Sequence, residues 1–123
     1  MSRHVLSIGQ CVPDQSSISS MLQRHFEVVV STADYGKDAF ELLKSHEFDL
    51  ILINRKLDAD YSDGMLILEQ ITSDEELQKI PVMLVSNFAD WQEKAVAAGA
   101  QYGFGKAALN APETLSRLSE VLG

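Results

Sequence analysis

The chain has 123 residues, of which 46% are hydrophobic, and its 18 acidic and 10 basic residues leave a net charge of −8. This size and apolar content suit one domain over residues 1–123 with a continuous core, while the acidic balance opposes direct nucleic-acid binding, which relies on clustered Lys and Arg. No apolar run reaches the roughly 20 residues of a membrane helix, the start "MSRHVLSIGQ" lacks a signal-peptide pattern, and the single Cys11 can form no internal disulfide, so a cytoplasmic protein is expected.

In chain order, short apolar runs alternate with segments of helical period. The runs are residues 4–9 ("HVLSIG"), 27–32 ("EVVVST"), 49–54 ("DLILIN"), 81–86 ("PVMLVS") and 101–105 ("QYGFG"). Between them lie Ile18/Met21/Leu22, Ala39/Leu42/Leu43, Ile67/Leu68/Ile71 and Ala95/Val96/Ala98, and Leu115/Leu118/Leu122 closes the chain. Pro13 with Asp14 opens the first helix, Asp34-Tyr35-Gly36 is a turn before the second, and Asn110 with Pro112 opens the last. Glu69 and Gln70 face outward on the third.

Strict alternation predicts an α/β fold, in which parallel strands are joined by helical crossovers that cover both faces of the sheet. The unbroken apolar character of residues 50–53 and 82–85 places those two strands at the centre, because a strand covered on both faces has no polar side. In such an open sheet, chemistry gathers beyond the carboxyl ends of the strands. Those ends hold Gly9, Gln10, Asn54, Ser86 and Lys106.

At these residues the sequence resembles the receiver domain of bacterial response regulators over nearly its whole length. The carrying features are "DLILIN" ending the third strand, "PVMLVS" ending the fourth on Ser86, and "GAQYGFGK" bearing Lys106. The resemblance implies a flavodoxin-like sheet of five parallel strands in the order 2-1-3-4-5. It also implies an acidic pair after the first strand, a phosphoaccepting aspartate after the third, a Ser or Thr after the fourth and a Lys after the fifth.

Ser86 and Lys106 fit that pattern, whereas Gly9 and Gln10 stand in place of the acidic pair and Asn54 in place of the acceptor. The family's chemistry needs carboxylate oxygens to hold Mg²⁺ and a carboxylate nucleophile, and an amide supplies neither. The expectation is therefore a degenerate pocket with no cofactor, no metal and no enzymatic activity. Gly103 occupies the position where the family often carries a switching aromatic. The loop from Asn54 to Gly64 is longer than usual and that from Ser86 to Gly99 shorter. Ala107 replaces a proline, and since a cis bond to a non-proline costs about 2.5–4 kcal/mol, the Lys106–Ala107 bond is predicted trans. Lys106 is expected to reach the Asn54 oxygen, Asp14 or Asp58.

Other motifs carry less. Asp58, Asp60, Ser62 and Glu69 imitate the spacing of a calcium loop but place Asp63 where glycine is needed, and "GFGKA" departs from a phosphate-binding loop. Cys11 reads as a small buried or half-buried side chain and His4, His25 and His46 as structural.

Binding is what survives once the chemistry is removed. The expected function is a phosphorylation-independent signalling or protein-interaction module, with an unidentified protein or a weakly associating second copy as partner and no membrane role. Its candidate surface is Phe88 and Trp91 at the start of the fourth helix with Tyr102 and Gly103 on the fifth strand, the first two either exposed as anchors or packed inward. Two alternatives stand beside it: an acceptor relocated to Asp14, Asp58 or Asp60, and a small-ligand domain reusing the vacated pocket.

Overall fold

The computed structural model describes residues 2–123. Five strands, β1 (Arg3–Ile8), β2 (Val28–Ala33), β3 (Leu50–Asn54), β4 (Val82–Val85) and β5 (Gln101–Phe104), form one parallel sheet in the order β2-β1-β3-β4-β5. Helices α1 (Val12–His25), α2 (Gly36–Ser45), α3 (Gly64–Ser73), α4 (Ala89–Ala97) and α5 (Pro112–Leu122) connect and close them. Fold class and strand order agree with the sequence-based expectation.

Alternate residues of each apolar run feed opposite sides of the sheet, as the period of two dictates. Ile51, Ile53 and Leu84 join Ala39, Leu43, Ile67, Leu68, Ile71 and Ala95 beneath α2, α3 and α4. Leu50, Leu52, Met83 and Val85 join Ile18, Leu22, Leu118 and Leu122 beneath α1 and α5. Both central strands are buried throughout their apolar residues. Removing this much apolar surface from water, at roughly 25 cal/mol per Å², is the main force that assembles the sheet.

Local signals set the helix starts. Pro13 and Pro112 sit in the first turns of α1 and α5, where no backbone donor is lost. Asp63 caps α3 by accepting the Met65 amide at 2.9 Å. The following Gly64 admits no side chain, since a Cβ there would strike the Asn54 carbonyl. Two short 3₁₀ turns, Leu77–Lys79 and Lys106–Ala108, were not foreseen from the sequence. Among the described residues no helix is long and apolar enough to cross a membrane.

Candidate functional site

Two neighbouring strand ends at the sheet's carboxyl edge, those of β1 and β3, are tied together by one carbonyl. Gly9, at φ +78°, turns the chain out of β1, and any side chain there would collide with Leu57. Its carbonyl oxygen accepts the Asp58 amide at 3.0 Å and the Asn54 side-chain nitrogen, also at 3.0 Å. A carbonyl only accepts, so the nitrogen of Asn54 must face it. An aspartate in this pose would set a carboxylate oxygen against a carbonyl oxygen.

Lys106 leaves β5 through the 3₁₀ turn and places its ammonium 2.7 Å from Asp14 on α1. Of the three partners expected for Lys106, the structure selects Asp14. The same carboxylate accepts the Cys11 thiol at 3.0 Å. Hydrogen bonding from Lys106, then from Cys11, holds the Asp14 carboxyl below the ordinary aspartate value.

Ser86 accepts the Phe88 amide at 3.2 Å, and its neighbour Asn87 accepts the Ala107 amide at 3.0 Å. That second bond needs an N–H at position 107, which alanine has and proline lacks. No described peptide bond is cis, so Lys106–Ala107 is trans as predicted.

Two of the five expected pocket residues do not line the cavity beside Asn54: Gly9 forms the turn behind it, and Gln10 lies elsewhere. The backbone turn at Gly9 sends Gln10 away from Asn54 and toward a separate cavity that also includes Ser7, Gln15, Thr32 and Asp34. There its amide is buried, and neither amide atom has a partner among the described residues. Asn54, Ser86 and Lys106 line a cavity of about 230 Å³ together with Arg55, Lys56 and Asn87, with Val85, Phe88 and Trp91 as its apolar side.

On the other side of β4 a second constellation appears that the sequence did not suggest. Met83 pairs with Gln101 and Val85 with Phe104, so two residues of β5, Tyr102 and Gly103, oppose Leu84 alone. Such a bulge takes backbone groups out of the ladder. The side chain of Gln92 on α4 supplies the partners: its oxygen accepts the Gly103 amide at 2.8 Å, and its nitrogen donates to Leu84 at 2.9 Å and Ser86 at 3.1 Å. Gln92 is buried. A Cβ on Gly103 would meet the Leu84 carbonyl, so only glycine fits beneath this amide.

The candidate partner surface is accordingly redrawn. Gly103 is buried under Gln92 and offers no surface. Phe88 is 69% exposed. Trp91 is half-buried and flanked by cations, with the Arg55 guanidinium 4.2 Å and the Lys94 ammonium 4.4 Å from its ring. Tyr102 is exposed and stacks on Arg117 of α5 at 4.4 Å.

The acidic loop between β3 and α3 is internally engaged. Asp60 accepts both the amide and the hydroxyl of Ser62, which keep its carboxyl below the ordinary value, and Tyr61 between them has φ +59°. His4 packs on Phe48 near His46, beside the amino end of the sheet and away from the cavity. Among the described residues no group of three His, Cys, Asp or Glu side chains is placed to hold a metal ion.

Residues 11–117 match the family profile described as the response regulator receiver domain. No curated protein matches the sequence. Among solved structures, the chemotaxis response regulator CheY4 of Vibrio cholerae is similar with a TM-score of 0.76 at 20% identity, over 99% of this chain and 100% of that one. The signal receiver domain of a DNA-binding response regulator from Colwellia psychrerythraea has a TM-score of 0.80 at 23% identity, over 97% of each chain. The receiver domain of a sensor histidine kinase from Pseudomonas aeruginosa, which holds a magnesium ion in its active-site cleft, has a TM-score of 0.71 at 19% identity over 98% of this chain and 94% of that one. At these identities the similarity speaks to the fold.

Proposed function

The chain belongs to the response regulator receiver domain family of two-component signalling, and from that premise we propose that it works as a phosphorylation-independent protein-interaction module. The observation that carries this reading is the closed hydrogen bond from the Asn54 nitrogen to the Gly9 carbonyl. An amide in this role brings neither a charge for a divalent ion nor an oxygen nucleophile.

The surroundings support the same reading. Magnesium, the ion that the family implies, does not fit the residues at hand: Gly9 has no side chain, Gln10 is turned into another cavity, and the nearby Asp14 is already bound by Lys106 at 2.7 Å. Lys106 is paired with Asp14, and Ser86 accepts the Phe88 amide, so both side chains are positioned by partners other than a phosphoryl group.

What the domain offers to a partner is then a fixed surface. Gln92 fastens α4 to β4 and β5 through three hydrogen bonds, and the exposed Phe88 and Tyr102 line the same cleft as Gln92. Exposed aromatic side chains held by a rigid frame are favourable binding anchors because little conformational entropy is lost on docking.

An amide NMR titration with Mg²⁺ and beryllofluoride tests the proposal. The expected result is no saturable, metal-dependent shift at Asn54, Ser86 or Lys106. Saturation at those residues with a requirement for the metal would overturn it.

A further inference from the structure

We propose that the cavity beside Asn54 is a metal-independent binding site for a small organic oxyanion, a phosphomonoester or carboxylate attached to a flat apolar body. Charge is the first argument. The protein carries −8 overall, yet three of the nine residues lining this cavity, Arg55, Lys56 and Lys106, are cations, and none of the nine is Asp or Glu. Carboxylates outside the wall answer two of them, Asp14 at 2.7 Å from Lys106 and Asp63 at 3.6 Å from Arg55. Lys56 makes no ion pair among the described residues and is exposed. The local balance is positive by one, on a molecule that is otherwise acidic.

Hydrogen-bonding capacity is the second argument. The Ser86 hydroxyl accepts from the Phe88 amide, which leaves its own proton free to donate. Asn87 uses its oxygen on the Ala107 amide, which leaves its nitrogen as a donor. Donors and cations therefore dominate the wall, and oxyanions are the ligands that need both.

Size and shape set the rest of the ligand. About 230 Å³ corresponds to roughly eight waters at ~30 Å³ each, more than one phosphate or carboxylate group fills. Phe88 and Trp91 supply an apolar side for the remainder. Trp91 also supports the Arg55 guanidinium by stacking at 4.2 Å, so that this cation is held in place before any ligand arrives.

The experiment is an NMR titration of the full chain with phenyl phosphate in the presence of a metal chelator, following backbone amides and the Trp91 indole. Benzoate, inorganic phosphate and benzyl alcohol serve as parallel probes. Saturable shifts centred on Asn54, Ser86, Asn87 and Trp91 are expected with phenyl phosphate or benzoate, whichever binds more tightly identifying the head group. Inorganic phosphate should bind more weakly and benzyl alcohol not at all. Lys56→Gln, a change at an exposed side chain that leaves the fold intact, should weaken binding roughly threefold, and added salt should weaken it further.

No saturation with either aromatic anion, or equal binding by benzyl alcohol, would overturn the inference while leaving the interaction-module reading untouched. Inorganic phosphate binding as tightly as phenyl phosphate would remove the organic body from it. Binding that appears only with Mg²⁺ would contradict both.

Discussion

Two buried glutamines meet opposite fates in this protein. Gln92 sits between α4 and the β4–β5 edge with three hydrogen bonds to backbone groups, two at the β5 bulge (Gly103 and Leu84) and one just past the end of β4 (Ser86). Gln10 sits beyond the end of β1 with both amide atoms buried and no partner among the described residues. The same side chain is a fastener in one place and a burden in the other, because a buried polar group stabilises only when it completes a pair that would otherwise be missing. The α4–β5 side is thus tightly specified, while the segment around Gln10 beyond β1 is held less well.

The comparison can be broken most forcefully at Gly103. Gly103→Ala drives a methyl group into the Leu84 carbonyl and should lower stability by about 3 kcal/mol in urea unfolding, the upper part of the usual cost of overpacking. Loss of less than about 1 kcal/mol would mean that the bulge relaxes freely. Gln92→Met keeps the volume but strands the Gly103 amide and the Leu84 and Ser86 carbonyls; a loss of about 2 kcal/mol is expected, with faster amide exchange confined to β4 and β5.

Gln10→Met should act in the opposite direction. It removes two unpartnered polar atoms from a buried position, so a gain of about 1 kcal/mol is expected in the same assay. Equal signs for the two Gln→Met changes would dissolve the contrast.

The smallest effect concerns Asp14. Its carboxyl is held low chiefly by Lys106, so the pair stabilises the fold above the ordinary aspartate range and the contribution fades as pH falls through the lowered value. Both side chains are about one-third exposed, and water screens the pair. Lys106→Met should raise the Asp14 pKa toward its ordinary value in an NMR titration, while the Cys11 contact keeps part of the depression. The stability difference between the two proteins should shrink as pH falls below the aspartate range.

Much of the fold could be read from residues 50–53 and 82–85, because strands covered on both faces show their burial directly as unbroken apolar runs. Proline at the starts of α1 and α5 was equally plain. The site was legible only where sequence position alone decides. Asn54, Ser86 and Lys106 come together because each ends a neighbouring strand. Gln10 misled because the direction of its side chain depends on the positive φ of the preceding glycine. Gln92 carried no signal at all: its role follows from a one-residue register slip between β4 and β5, which no spacing along the chain reveals. Arg55, Lys56 and Asn87 stand at the same offsets past their strand ends as Ser86 and Lys106, but neither spacing nor the receiver resemblance assigns those positions a role.

The central claim is that a pocket with an amide in the acceptor position forms no covalent bond to a phosphoryl group. Intact-mass spectrometry after incubation with acetyl phosphate and Mg²⁺ tests it most directly. The account predicts an unchanged mass, and a stable phosphate-sized adduct mapped to any aspartate, Asp14, Asp58 and Asp60 included, would contradict it.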